Sequence, residues 1–158
     1  MAASTFSVER SATIAAHPGR VFEELVDFRN WPHWSPWEDL DPDIERTYSG
    51  PPRGTGSVYE WAGNRKAGKG RMEIIDTTEP ERVQVDLRFL KPFKARNDCV
   101  FVLTPQGDST HVSWSMSGDK SIVMRVMGVF VSMDKMIGPD FEKGLARLTA
   151  YAEGGRSA

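Results

Sequence analysis

Polar side chains that interrupt apolar strands are where this chain could do chemistry. Asn97 and Cys99 alternate with Phe101 and Leu103, so a period of two puts all four on one face. Arg10 shares a face with Val8 and Ile14 unless a bulge resets the register. Arg46 and Tyr48 fall with Ile44, and Tyr59 falls with Trp61. If those faces enclose an apolar space, one or two such groups suffice to polarise a carbonyl and move a proton. The competing reading is structural. A buried polar group left without a partner costs about 1–3 kcal/mol, so most find one within the protein. Both readings stand for Asn97 and Arg10, and the structural one is the commoner outcome.

Other chemistries lack their residues. Ser57, Ser113 and Ser115 sit in strand patterns, with no GxSxG elbow and no adjacent base. Cys99, in NDCVF, reads as a small buried hydrophobe rather than a nucleophile. His17, His33 and His111 are far apart, and no HExxH spacing exists. GNRKAGKG at 63–70 has glycine and lysine but lacks GxxxxGK[ST] and lies between two strands. The expectation is therefore no catalytic residue, no metal and no cofactor.

These residues need elements to hold them. The chain has 158 residues and reads as one domain over 1–158, with tails at 1–4 and 154–158 expected to be flexible. Alternation predicts strands over Phe6–Ala15, Ile44–Ser49, Ser57–Ala62, Arg71–Thr78, Arg82–Leu90, Lys94–Leu103 and Thr110–Gly118. Thr104–Ser109 reads as a turn. Pro18 opens a first helix, with Val21, Phe22, Leu25 and Val26 as its apolar face, and Asp27–Asn30 stops it. WPHWSPW follows as a short helical elbow bearing Trp31, Trp34 and Trp37. Met133–Glu153 repeats apolar residues at three- and four-residue steps, giving a helix about 30 Å long. Pro139 removes a helical hydrogen bond, so the regular part is expected from about Pro139 onward. Asp119–Ser132, with Met124, Met127 and Phe130, is expected to be a mostly helical, movable lid.

Composition narrows the function. Net charge is −2, so no general attraction to nucleic acid is expected. The single cysteine and the lack of a basic start before an apolar run fit a cytoplasmic protein. No window approaches 18 apolar residues, so no integral membrane association is expected. Five Trp, eight Phe, three Tyr and seven Met supply a large apolar core or an adaptable apolar pocket. Trp31 reads as packing. Trp34 and Trp37 read equally as packing or as the rim of a pocket.

The stretches VERSATIAAHPGRVFEELVDFRNWPHWSPW, EIIDTTEPERVQVDL, FVLTPQGDSTHVSWSMSG and MIGPDFEKGLARL resemble the SRPBCC / START-like superfamily, in particular its polyketide cyclase/dehydrase-type members. The resemblance spans nearly the whole chain and implies an α+β helix-grip fold. In that fold a curved seven-stranded antiparallel sheet wraps around a long C-terminal helix, with two short helices after the first strand. It also implies an internal apolar cavity for a small hydrophobic molecule. With strand parity, the candidate ligand-binding residues are Trp34, Trp37, Tyr59, Trp61, Met72, Phe89, Asn97, Phe101, Trp114, Met116, Met127, Phe130 and Phe141. The favoured function is binding or carriage of a lipid or polyketide-like molecule. The alternatives are a polyketide cyclase, aromatase or dehydratase and a stress-related interaction module. One fold hosts many functions, so these motifs identify the fold better than the chemistry.

Overall fold

Seven alternating segments make seven strands, and each polar–apolar alternation turns one side of the sheet into a core face. A computed structural model describes residues 5–35, 43–64, 68–91, 95–119 and 133–154. Its strands are β1 (Thr5–Ile14), β2 (Glu45–Ser49), β3 (Val58–Ala62), β4 (Lys69–Thr78), β5 (Arg82–Lys91), β6 (Ala95–Gln106) and β7 (Ser109–Asp119). They form one antiparallel sheet in the order β1-β7-β6-β5-β4-β3-β2. Helix α1 (Pro18–Val26) and a 3-10 helix (Phe28–His33) follow β1, and helix α2 (Met133–Gly154) ends the described chain.

The register sorts the inner face into rows. Tyr48, Tyr59, Met72, Leu87, Asn97 and Gly118 are successive cross-strand partners from β2 to β7. Toward the β3–β4 connection the neighbouring row is Trp61, Gly70 and Phe89. On the other side lie Ile74, Val85, Cys99, Met116 and Val8, and then Val83, Phe101, Trp114 and Arg10. Nearly all of these apolar side chains are buried, which confirms the expected facing of Asn97 and Cys99 with Phe101 and Leu103. Arg10 also faces inward. Its Nε donates to Glu142 on α2 at 2.8 Å, and a Cβ at Gly138 would run into its guanidinium. Glycine at 138 thus lets α2 lie directly over β1.

Helix α2 packs through Phe141, Leu145, Leu148 and Ala152, all buried, at the helical spacing read from the sequence. Its far end is tied just past β1, where the Ala15 backbone N–H donates to Glu153 Oε2 at 2.7 Å. The helix starts at Met133, six residues before Pro139, which corrects the expectation that Pro139 begins it. One missing N–H deletes one ladder hydrogen bond, and the turns on either side carry the helix through. The expected lid at 120–132 and the terminal tails 1–4 and 155–158 lie outside the described residues.

Other boundaries also moved. Strand β6 continues to Gln106, so the β6–β7 turn is only Gly107-Asp108, not the whole of Thr104–Ser109. Pro105 is accommodated near the strand end, and Gly107, with φ of 62°, supplies the left-handed conformation a two-residue hairpin requires. Strand β4 begins at Lys69 rather than Arg71, because β5 extends to Lys91 and pairs with it. The residues expected to stop α1 enter the 3-10 helix instead. Asp27 caps that helix, accepting the Arg29 N–H at 2.9 Å.

The outer face carries charge in rows. Arg71, Arg88 and Arg96 adjoin across β4, β5 and β6, and Glu73, Asp86 and Asp98 form the next row. Asp86 is nearly buried and accepts from Arg88 Nε at 2.7 Å and Arg96 Nε at 2.9 Å. Burial alone would raise its pKa, but the two guanidiniums outweigh it and hold the carboxyl below the usual 3.8. A carboxyl depressed in the folded state contributes stability above its unfolded pKa and loses it as pH falls through the folded value. Asp86→Asn should therefore be less stable than the parent at neutral pH, and the deficit should shrink below pH 3.8. Urea midpoints measured across that window check this; parallel pH profiles would contradict it.

Candidate functional site

The inner face divides into a half closed by the described helices and a more open half, where Tyr48, Trp61 and Phe89 stay partly exposed while Tyr59, Met72, Leu87 and Asn97 are buried. The closed half is built by α1, the 3-10 helix and α2. Helix α1 ends with backbone carbonyls that no further turn satisfies. The 3-10 helix folds two indoles back onto that end: Trp31 Nε1 donates to the Leu25 carbonyl at 3.1 Å, and Trp34 Nε1 to the Glu24 carbonyl at 3.2 Å. Trp34 then meets Phe101 edge-on at 5.9 Å and Trp114 edge-on at 5.4 Å. Phe141 of α2 stacks on Trp114 with centroids 3.9 Å apart and planes 6° from parallel. Trp34, Phe101 and Phe141 are fully buried. Four of the expected site residues, Trp34, Phe101, Trp114 and Phe141, thus form one aromatic stack whose faces are already covered. Met116 is buried beside them, between Cys99 and Val8.

The open half lies under β3, β4, β5 and β6. Tyr59, Met72 and Asn97, three residues expected at the site, fall in one cross-strand row with Leu87 between Met72 and Asn97. Trp61 and Phe89 lie in the next row and are half-buried. They meet edge to face at 5.9 Å, and Trp61 stacks beside Tyr59 at 6.0 Å with planes 23° apart. Tyr59 continues to Tyr48 at 5.4 Å, and Arg29 sits over the Tyr48 ring at 4.6 Å. The result is a run of rings, Tyr48–Tyr59–Trp61–Phe89, in which Tyr48, Trp61 and Phe89 keep partly exposed faces and Tyr59 is buried. Trp37, Met127 and Phe130, also expected at the site, lie outside the described residues.

Two glycines shape this half. A Cβ at Gly70 would run into the Trp61 benzo ring and approach the Arg88 carbonyl to 2.6 Å. The indole therefore lies flat across β4 in the space a side chain would fill. A Cβ at Gly118 would run into Asn97 Oδ1 and come within 2.9 Å of the Arg96 carbonyl, so the Asn97 amide leans over Gly118. Asn97 is 5% exposed, and among the described residues no hydrogen bond reaches its amide. The sequence reading missed both glycines. A glycine inside a strand pattern, marking a close approach of side chain to backbone, was the available signal.

Two further groups complete the electrostatics. Burial pushes the Cys99 thiol far up, and Asp98 and Asp86 add to the shift, so it stays protonated and unreactive. Glu24 is buried on α1 between Arg20 Nη1 at 2.8 Å and His33 Nδ1 at 3.0 Å. His33 stacks on Tyr151 of α2 at 4.2 Å, so this cluster clamps α1, the 3-10 helix and α2 together. Among the described residues no three His, Cys, Asp or Glu side chains gather closely enough to hold a metal ion. Likewise no helix there is long and apolar enough to cross a membrane.

A curved antiparallel sheet that grips a C-terminal helix over a ring-lined inner face defines a helix-grip protein. The chain belongs to the polyketide cyclase / dehydrase and lipid transport family, whose model matches residues 5–153. No curated protein matches the sequence significantly. Among solved structures it is similar to a Chromobacterium violaceum protein, with TM-score 0.67 and 15% identity over 93% of this chain and 96% of that one. It is also similar to a Thalictrum norcoclaurine synthase point mutant bound to a transition-state analogue, with TM-score 0.69 and 12% identity over 96% of each chain. A protein of the dynemicin biosynthetic locus matches with TM-score 0.64 and 17% identity, over 94% of this chain and 48% of that one. At such identities these likenesses show the fold alone.

Proposed function

We propose that this protein binds and carries a small hydrophobic molecule on the open half of its inner face. The observation behind this reading is the row of half-exposed rings around Gly70, where Trp61 and Phe89 offer apolar surface inside the grip of the sheet. Fully burying an exposed ring of this size is worth about 1.5–3 kcal/mol, and each half-buried ring has part of that still to gain when it is covered. Tyr59, Met72 and Leu87 floor the site, and the Asn97 amide gives a ligand one neutral hydrogen-bonding group to meet. The family description, which joins lipid transport with cyclase and dehydrase activity, supports a hydrophobic ligand of either origin. Titration with the apolar dye Nile red tests the reading. Saturable binding near one dye per chain is expected. No saturable binding, together with no retained molecule in native mass spectrometry, would overturn it.

A second reading, cyclisation or dehydration of a ketide-like substrate, is favoured by one feature. Asn97 could hold a carbonyl while the rings fold the chain beside it. An unchanged product distribution in both Asn97→Ala and Tyr59→Phe would remove that reading.

A further inference from the structure

The charge of this chain is not spread evenly. Residues 60–71 and 88–96 together carry eight Lys and Arg against a single acid, Glu60, in a chain that is −2 overall. The topology brings the two segments to one place. Strands β3, β4, β5 and β6 are adjacent and antiparallel, so the β3–β4 and β5–β6 connections lie at the same end of the sheet. Arg71, Arg88 and Arg96 form one outer row there. Arg71 is paired with Glu73 at 3.1 Å, and Arg88 and Arg96 share Asp86, so this row is partly neutralised.

The outermost pair is different. Lys69 and Lys91 are direct cross-strand partners, both exposed, and among the described residues neither makes an ion pair. Like charges placed opposite one another are unfavourable in a sheet, and an external anion would relieve that repulsion. Beside this pair, just before Lys91 on β5, is an apolar residue. The register shifts from Gly70↔Phe89 to Lys69↔Lys91, so Leu90 is the extra residue of a β-bulge, and it is 39% exposed. Trp61 and Phe89, the half-exposed rings of the inner face, lie at this same end.

We infer that this end of the sheet docks on an anionic lipid surface. A lysine pair beside a partly exposed leucine combines electrostatic attraction to acidic headgroups with shallow burial of an apolar side chain. The acidic remainder of the chain would orient the molecule with this end toward the bilayer. Docking is peripheral and needs no spanning helix. It stands apart from ligand binding, since vesicle association is read without any ligand and its failure would leave dye binding untouched.

Co-sedimentation with vesicles of phosphatidylcholine alone, or of phosphatidylcholine with phosphatidylglycerol, tests this. Binding is expected only to the anionic vesicles, and it should weaken as salt rises. Each lysine near such a surface contributes roughly five-fold in affinity, so Lys69→Glu with Lys91→Glu should weaken binding by at least about 25-fold. Lys143→Glu, an exposed change on α2, should have a much smaller effect. Circular dichroism confirms that the variants fold. Equal binding to neutral and anionic vesicles, no binding to either, or full binding by the double variant would overturn the proposal. Capture of RNA in place of vesicles would also overturn it, assigning the patch to nucleic acid.

Discussion

Replacing Phe141 by alanine should destabilise the protein by about 3–5 kcal/mol, a large part of the stability of a domain this size. The ring is fully buried and stacked on Trp114 at 3.9 Å. Trp114 stacks in turn on Phe101 at 5.1 Å and meets Trp34 at 5.4 Å. This chain of rings joins α2 to β6, β7 and the 3-10 helix, so removing its end leaves a cavity between layers that cannot easily collapse. Other α2 side chains, such as Leu145 and Leu148, are as deeply buried but lack the aromatic stack. Urea unfolding measures the effect. A loss under about 1 kcal/mol would show that α2 is not anchored through this stack.

The second large effect falls on binding. Trp61→Ala combined with Phe89→Ala should weaken Nile red affinity on the order of 10- to 100-fold while costing much less stability than Phe141→Ala. The reason is exposure: both rings are half-buried, so they lose less packing in the empty protein than Phe141 does. The opposite pattern, a large loss of stability with dye affinity retained, would move the binding surface away from the open half.

The sequence carried the fold well because its signals are local. Alternation in β5 puts Val83, Val85 and Leu87 in the core and leaves Arg88 exposed, and it is broken only where Asp86 is buried under Arg88 and Arg96. The apolar stripe Phe141, Leu145, Leu148 and Ala152 likewise becomes the buried side of α2. Proline was over-weighted. Pro139 sits inside a helix and Pro105 near the end of a strand, both exposed, and in each case the element continues past the lost N–H.

The candidate site was legible only in part. Parity placed Tyr59, Met72 and Asn97 on the inner face, but it cannot say which inner residues are sealed by helices. That division depends on where α1 and the 3-10 helix end. The indole N–H bonds of Trp31 and Trp34 to the carbonyls of Leu25 and Glu24 set it, and those contacts cross six and ten residues of chain without a motif. The charged end of the sheet was equally hidden. Arg71, Arg88 and Arg96 become neighbours only through strand register.

The inner face divides its rings between those that would meet a ligand and those that hold the fold. The five tryptophan indole N–H resonances in a 15N-labelled sample report on it directly. Titration with 1-naphthol, a neutral aromatic with one hydroxyl, should shift the Trp61 resonance strongly. Trp31 and Trp34, whose N–H groups are bonded to α1 carbonyls in the closed half, should move little. Shifts at Trp31 and Trp34 with none at Trp61 would contradict the division and place binding within the stack.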